Sequence, residues 1–468
     1  MGFVLTILYF VTNYLTPVTL FGPLAAIHIE VVLGIMIFFV SLHKVQGSVI
    51  LKTPQSLALI GLVFAVFFSV LFGQHWPGRA VRASLGFLPQ GGIAYVLVCL
   101  HCNSKKKLQV LVLMLLFVCM FVIANGCIAL LHGVPEVAIH NPDSKEIVPL
   151  PMEASSIPYL FPMRNDAGET FYRLRGLGQI NDPNDFAQLI VCVTPLIFIF
   201  WRPKRALLNF ACIILPVCAL LFGTYLTHSR GALLALVAMA VVAARRRIGT
   251  VPALLIAGGL FAAAMALHFT GGREISADSG AGRADLWAEG LGAFKTHPLF
   301  GVGVGDIGDY TESNLTAHNS LVVCAAELGF FGLYFWSLFL FSTLRDTLAI
   351  TSPAKVSEGE PLMPEEGPFP QAATKIETLD KAEINRLGRL LILSMTGFLV
   401  AGWFLSRAFV MTFFLLGGMV EVVYEMALRR EMIAPRLRLA RVLPYAAVFA
   451  IALLLVLYIM LRVLNLMR

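Results

Sequence analysis

Apolar runs of about 20 residues recur along the whole sequence, separated by short polar breaks. A helix of that length matches a hydrocarbon layer of roughly 30 Å. The runs do not alternate polar and apolar residues, as the strands of a lipid-facing barrel must. A segment in lipid has to satisfy its own backbone, so these runs predict helices. The predicted spans are 3–22, 24–42, 56–73, 84–101, 108–131, 186–201, 206–223, 231–244, 251–269, 320–343, 390–406, 409–427 and 442–462. The first two runs read either as two spans or as one broken unit, so the expected fold is an all-α, polytopic membrane bundle of 12 or 13 transmembrane helices. The run from Phe3 has no basic stretch before it and no small-residue cleavage site after it, so it reads as a span and not as a removable leader.

Composition supports this pattern. Hydrophobic residues make up 58% of the chain and charged residues 13%, about half the charged share of a soluble domain. The basic residues crowd into short loops such as Arg202-Pro203-Lys204-Arg205 and Arg245-Arg246-Arg247. Positive charge in short loops marks the cytoplasmic side, which puts the N-terminus inside. The net charge of +7 then reports topology and gives no sign of a nucleic-acid partner; membrane lipids are the expected surroundings.

The chain divides accordingly. Residues 1–131, 186–269, 320–345 and 389–468 carry spans, and two long loops, 132–185 and 270–319, face outward. Both loops are expected to carry short helices. A cytoplasmic stretch, 346–388, contains EGEPLMPEEGPFP and few aromatics, so it reads as a disordered linker. The eight cysteines lie in or beside apolar runs, which is no disulfide framework. Cys99 and Cys102 form a CxxC without a second ligand pair, and small packing residues are the simpler reading.

Polar side chains gather in the outward loops. The first ends in YRLRGLGQINDPNDFAQ; a turn with THSRG follows; the second long loop holds GRADLW and HPLFGVGVGD and closes with TAHNS. Each piece has an ordinary explanation. An Arg beside a span usually anchors it at the headgroups, and a lone His is usually structural. Asp182-Pro183-Asn184-Asp185 is suited to cap the helix starting near Phe186. GVGVGD suggests a tight turn and lacks the strand and helix of a dinucleotide fingerprint. Jointly, Arg175, Arg230, Arg283 and His318 place several cations on one face with few adjacent acids, which suits an anionic ligand. Arg grips phosphate through a bidentate fork. A neutral His nearby can remove a proton from an attacking hydroxyl. The stretch after Arg283, with Leu286, Trp287, Leu291 and Phe294, reads as an amphipathic helix at the membrane interface. No metal-ligand spacing is present, so metal-independent chemistry without a cofactor is favoured.

These motifs, in this order over about 172–336, resemble the O-antigen ligase and polysaccharide polymerase family of bacterial envelopes. The resemblance implies a GT-C-like bundle in the bacterial inner membrane with its site on the periplasmic side. It implies a metal-independent, inverting glycosyltransferase that takes a glycan from undecaprenyl diphosphate to an acceptor hydroxyl. The acceptor is a lipid A-core sugar in ligases and another lipid-linked repeat in polymerases. Carried over by position, Arg230 in THSRG and Arg283 in GRADLW match the diphosphate-binding arginines. His318 in TAHNS matches the essential histidine. Arg175 and the Asp182-Pro183-Asn184 turn match a less well-assigned motif, and Asn319 beside His318 takes a supporting place. A transporter of lipid-linked saccharide or a scaffold in an assembly complex are the competing classes; the charged residues inside spans are few, among them Glu30, Glu327 and Glu421.

Overall fold

A computed structural model describes residues 1–21, 29–45, 53–73, 77–132, 136–140, 147–151, 158–164, 170–266, 269, 277–351 and 379–466. Its helices are α1 (Gly2–Leu15), α2 (Ile29–Val45), α3 (Pro54–Phe72), α4 (Pro77–Phe87), α5 (Ile93–His101) and α6 (Lys105–His132), followed by strands β1 (Glu136–His140), β2 (Ile147–Pro151), β3 (Leu160–Arg164) and β4 (Thr170–Leu174). Then come α7 (Pro183–Leu196), α8 (Leu215–Thr227), α9 (Arg230–Ile248), α10 (Thr250–Ala266), α11 (Ala277–Thr296), α12 (Ser320–Thr351), α13 (Lys381–Gly402), α14 (Met411–Arg429) and α15 (Leu439–Leu466).

Among the described residues, eight helical stretches are long and apolar enough to cross a membrane, and three more apolar helices are shorter. The chain is therefore a multi-pass, predominantly helical membrane protein. Some expected spans are built differently from simple rods. The run 84–101 is broken by a π-helical turn at Leu88–Gly92 that contains Pro89, whose carbonyl accepts the Tyr9 hydroxyl at 3.0 Å. Several polar side chains inside spans bond to their own helix backbone, as lipid favours. Thr194, Thr224 and Thr347 donate to the carbonyls of Ile190, Leu220 and Thr343, four residues back, at 2.7–3.0 Å.

Two compact units divide the chain. The first comprises Met1–Phe10, Glu30–Val110 and Ile275–Arg468; the second comprises Val11–Ile29 and Leu111–Glu274. In the first, α12 packs on α3, α11, α13, α14 and α15, and α14 is almost wholly buried. In the second, α7 packs on α8 and α9, and α9 on α10.

Three sequence expectations are corrected. Among the described residues, the first part of the first long loop forms two antiparallel hairpins, β1–β2 and β3–β4, before a 3-10 turn at Gly178–Ile180. The stretch 346–388 is not linker throughout. α12 runs to Thr351 and α13 begins at Lys381, because Asp346 is fully buried against Arg436 and Arg345; the Pro- and Glu-rich part lies outside the described residues. The helix after Arg283 forms as α11, yet Trp287 and Leu291 are buried in the first unit instead of resting on lipid.

The HPLFGVGVGD motif is more than a tight turn. Its backbone runs beside a break in α12 at Gly329. Val302 N–H donates to Ala326, Gly303 N–H to Glu327, Phe330 N–H to Pro298 and Phe331 N–H to Leu299, at 2.8–3.2 Å. Gly301 and Gly329 both have positive φ, 74° and 64°, where Gly is favoured. A Cβ on Gly329 would lie 2.5 Å from the Leu299 backbone, and one on Gly301 would run into Glu327. The two motifs HPLFGVG and AELGFFG are one structural joint.

Candidate functional site

In the second unit the first long loop closes onto two helix ends. Arg173, buried in β4, donates from Nε to the Thr227 carbonyl at 2.8 Å and from a terminal nitrogen to Asn184 Oδ1 at 2.9 Å. It thereby ties the hairpin to the DPND turn and to the end of α8. Asp182 caps α7 as expected: its carboxylate accepts the Asn184 N–H at 2.7 Å. The helix starts earlier than expected, at Pro183 in its first turn. Arg175 donates its N–H to Tyr159 at 2.8 Å. Partial burial lowers the pKa of its guanidinium, and the nearby Asp182 carboxylate works in the opposite direction. Sequence reasoning selected Arg175 and passed over Arg173, whose signal is only its place two residues earlier in a short strand.

Arg230 opens α9. Ser229 caps that helix by accepting the Ala232 N–H at 3.4 Å, and His228 before it adopts φ 49° and contacts the Phe269 carbonyl through Nδ1 at 2.9 Å. Half-buried Arg230 therefore stands at the positive end of a 19-residue helix, where the aligned peptide dipoles add to its field.

In the first unit, Arg283 lies on α11 with its guanidinium carbon 5.7 Å from the centroid of Phe404. One turn on, Trp287 meets Trp403 edge to face at 6.1 Å. His318 precedes α12 with an exposed side chain and a left-handed backbone, φ 48°. Its N–H donates to Ser406 Oγ at 2.9 Å, and that hydroxyl pairs with Thr316 at 2.6 Å. Ser320 donates to Leu405 at 2.7 Å and accepts the Arg407 N–H at 3.2 Å. Asn319 caps α12, its Oδ1 accepting N–H groups of Leu321 and Val322 at 2.9 and 3.1 Å. The short loop 403–408, between α13 and α14, thus holds both the arginine and the histidine segments. Nothing in the sequence singled it out: one Ser among aromatics between two spans reads as hydrophobic filler.

The CxxC pair is buried, and burial pushes the Cys102 thiol up to about 12. That protonated, inert state agrees with a packing role.

The fold and these clusters define a polytopic membrane protein whose helix mouths carry arginines and a histidine. Residues 215–337 match the family model for O-antigen ligase. The matched stretch includes THSRG, GRADLW, HPLFGVGVGD, TAHNS and AELGFFG; RGLGQINDPND precedes it. No curated protein matches the chain.

Proposed function

We propose that this protein transfers a glycan from undecaprenyl diphosphate to an acceptor hydroxyl at the periplasmic face of the bacterial inner membrane, as an O-antigen ligase whose acceptor is a lipid A-core sugar. The observation that carries the reading is the shared fastening of Arg283 and His318 to the loop 403–408, which sets a phosphate-binding cation and a basic imidazole on one support. The leaving diphosphate is already anionic, so it needs charge stabilisation more than protonation. Arg283 supplies that charge, and the resemblance gives Arg230 and Arg175 the same role. The His318 imidazole accepts the proton of the acceptor hydroxyl as its oxygen bonds to the anomeric carbon. The glycosidic C–O bond to phosphate breaks on the opposite face, with inversion, and the diphosphate leaves carrying the electron pair. Asp182, Asn184 and Asn319 act as supports of helix starts. No metal or cofactor takes part in this scheme. A polymerase of the same family would run identical chemistry on a second lipid-linked repeat.

The buried acids at the far end of the first unit favour an enzyme over a transporter. Asp346 and Glu421 are both bound to Arg436, so they act as structural counter-charges.

Purified protein supplied with a polyprenyl-diphosphate glycan and an acceptor should form the joined product and release polyprenyl diphosphate. His318→Ala should lower both by orders of magnitude while the protein stays folded. Wild-type transfer by that variant would remove the base from the scheme.

A further inference from the structure

The loop 403–408 carries more than packing. We infer that Ser406 is a positioning residue that holds His318 in its working orientation, an inference that rests on the role of His318 as base. His318 occupies a left-handed backbone conformation, unfavourable for a residue with a Cβ. Such a conformation persists only where surrounding contacts fix it. Here Ser406 Oγ accepts the His318 N–H, and Thr316 braces the same hydroxyl from the other side of Ala317. Ser320 and Asn319 then lock the two residues that follow. Ser406 itself sits between Leu405 and Arg407, whose backbone groups are bound to Ser320. His318 is exposed, and this backbone frame fixes the point from which its side chain projects.

Ser406→Ala should lower kcat by about 10- to 100-fold, the loss that a small misplacement of a catalytic group brings. KM for the lipid-linked donor and the melting temperature should hardly move. Ser406→Thr, which keeps the hydroxyl, should recover most of the rate, and Thr316→Ala should give a milder loss. In a His318→Ala background, Ser406→Ala should cost nothing further. A normal kcat for Ser406→Ala beside an impaired His318→Ala overturns the positioning role alone. An additional loss in the His318→Ala background does the same. Full activity of His318→Ala overturns the underlying reaction scheme instead.

A separate observation concerns the second unit. A cleft of about 670 Å³ is lined by Trp201, Lys204, Arg205, Leu207, Phe210 and Ile214, with no acidic residue on its wall. We propose that it binds the headgroup of an anionic phospholipid. The loop is fixed and not merely charged: buried Asn209 accepts the Arg202 N–H at 2.9 Å and donates to the Arg202 carbonyl at 2.6 Å. Exposed Leu207 and Phe210 continue from the cations as an apolar wall for an acyl chain. Basic pockets of this kind recognise acidic headgroups. In detergent, phosphatidylglycerol should remain bound and raise the melting temperature where phosphatidylcholine does not, and inorganic phosphate should not displace it. Lys204→Gln with Arg205→Gln should lose this effect; Arg245→Gln, Arg246→Gln and Arg247→Gln together should keep it. Equal loss from the second set, or equal retention of phosphatidylcholine, overturns a specific site in favour of diffuse charge.

Discussion

The two ends of the first unit treat charge in opposite ways. At the end where α12 finishes, Arg436 reaches Asp346 at 2.8 Å and chelates Glu421, with Tyr424 4.1 Å beneath its guanidinium. Gln55 and Arg345 complete Asp346, and Tyr95 reaches Glu421. Every carboxylate there faces a donor, which is what a buried charge needs to be tolerated. At the end where α12 begins, Arg283 and His318 are held by an aromatic ring and a backbone hydrogen bond, and the imidazole stays exposed. Charge that is internally neutralised stabilises; an arginine and a histidine fastened to one loop through a ring and a backbone N–H are candidates for chemistry. The contrast teaches which polar residues of a membrane bundle to suspect of chemistry.

Substitutions can break this contrast, and the largest effect is expected at the open end. His318→Ala should reduce glycan transfer by about 10²- to 10⁴-fold, the range for removal of a general base, with an unchanged melting temperature; transfer assays and thermal unfolding of the same sample check this. Arg436→Met should do the reverse. It strands two buried carboxylates at a cost of about 3–5 kcal/mol, seen as a lower melting temperature and less folded protein. Unaltered stability there would dissolve the distinction between the ends. Arg283→Lys should fall between, losing about tenfold to a hundredfold in rate because a point charge replaces the bidentate fork; a wild-type rate would mark Arg283 as an anchor. The smallest effect belongs to the second unit, where Asp182→Ala should cost about 1 kcal/mol of stability through loss of the α7 cap, read by chemical or thermal unfolding.

The helices were legible because burial in lipid demands long apolar runs, and the run starting near Leu108 is recovered as α6. The β-hairpins were not: strands such as Ile147–Pro151 are five residues long and contain prolines, so their alternation is too brief to register. Asp346 was placed in a linker because its partner Arg436 lies 90 residues away, and sequence spacing carries no trace of that pairing. At the candidate site, Arg230, Arg283 and His318 stood out through residue type and setting. Arg173 and the loop 403–408 did not, since their contribution is a set of hydrogen bonds to the backbone of distant segments.

The joint formed by Gly301 and Gly329 also has a practical use. Because it clasps the second long loop at its far side, the stretch from Glu312 to Leu315 is left as an exposed tip between two anchored flanks. An epitope grafted within this tip should be displayed with α11 and α12 intact, and a membrane-impermeant antibody applied to intact spheroplasts would report the side on which the tip emerges.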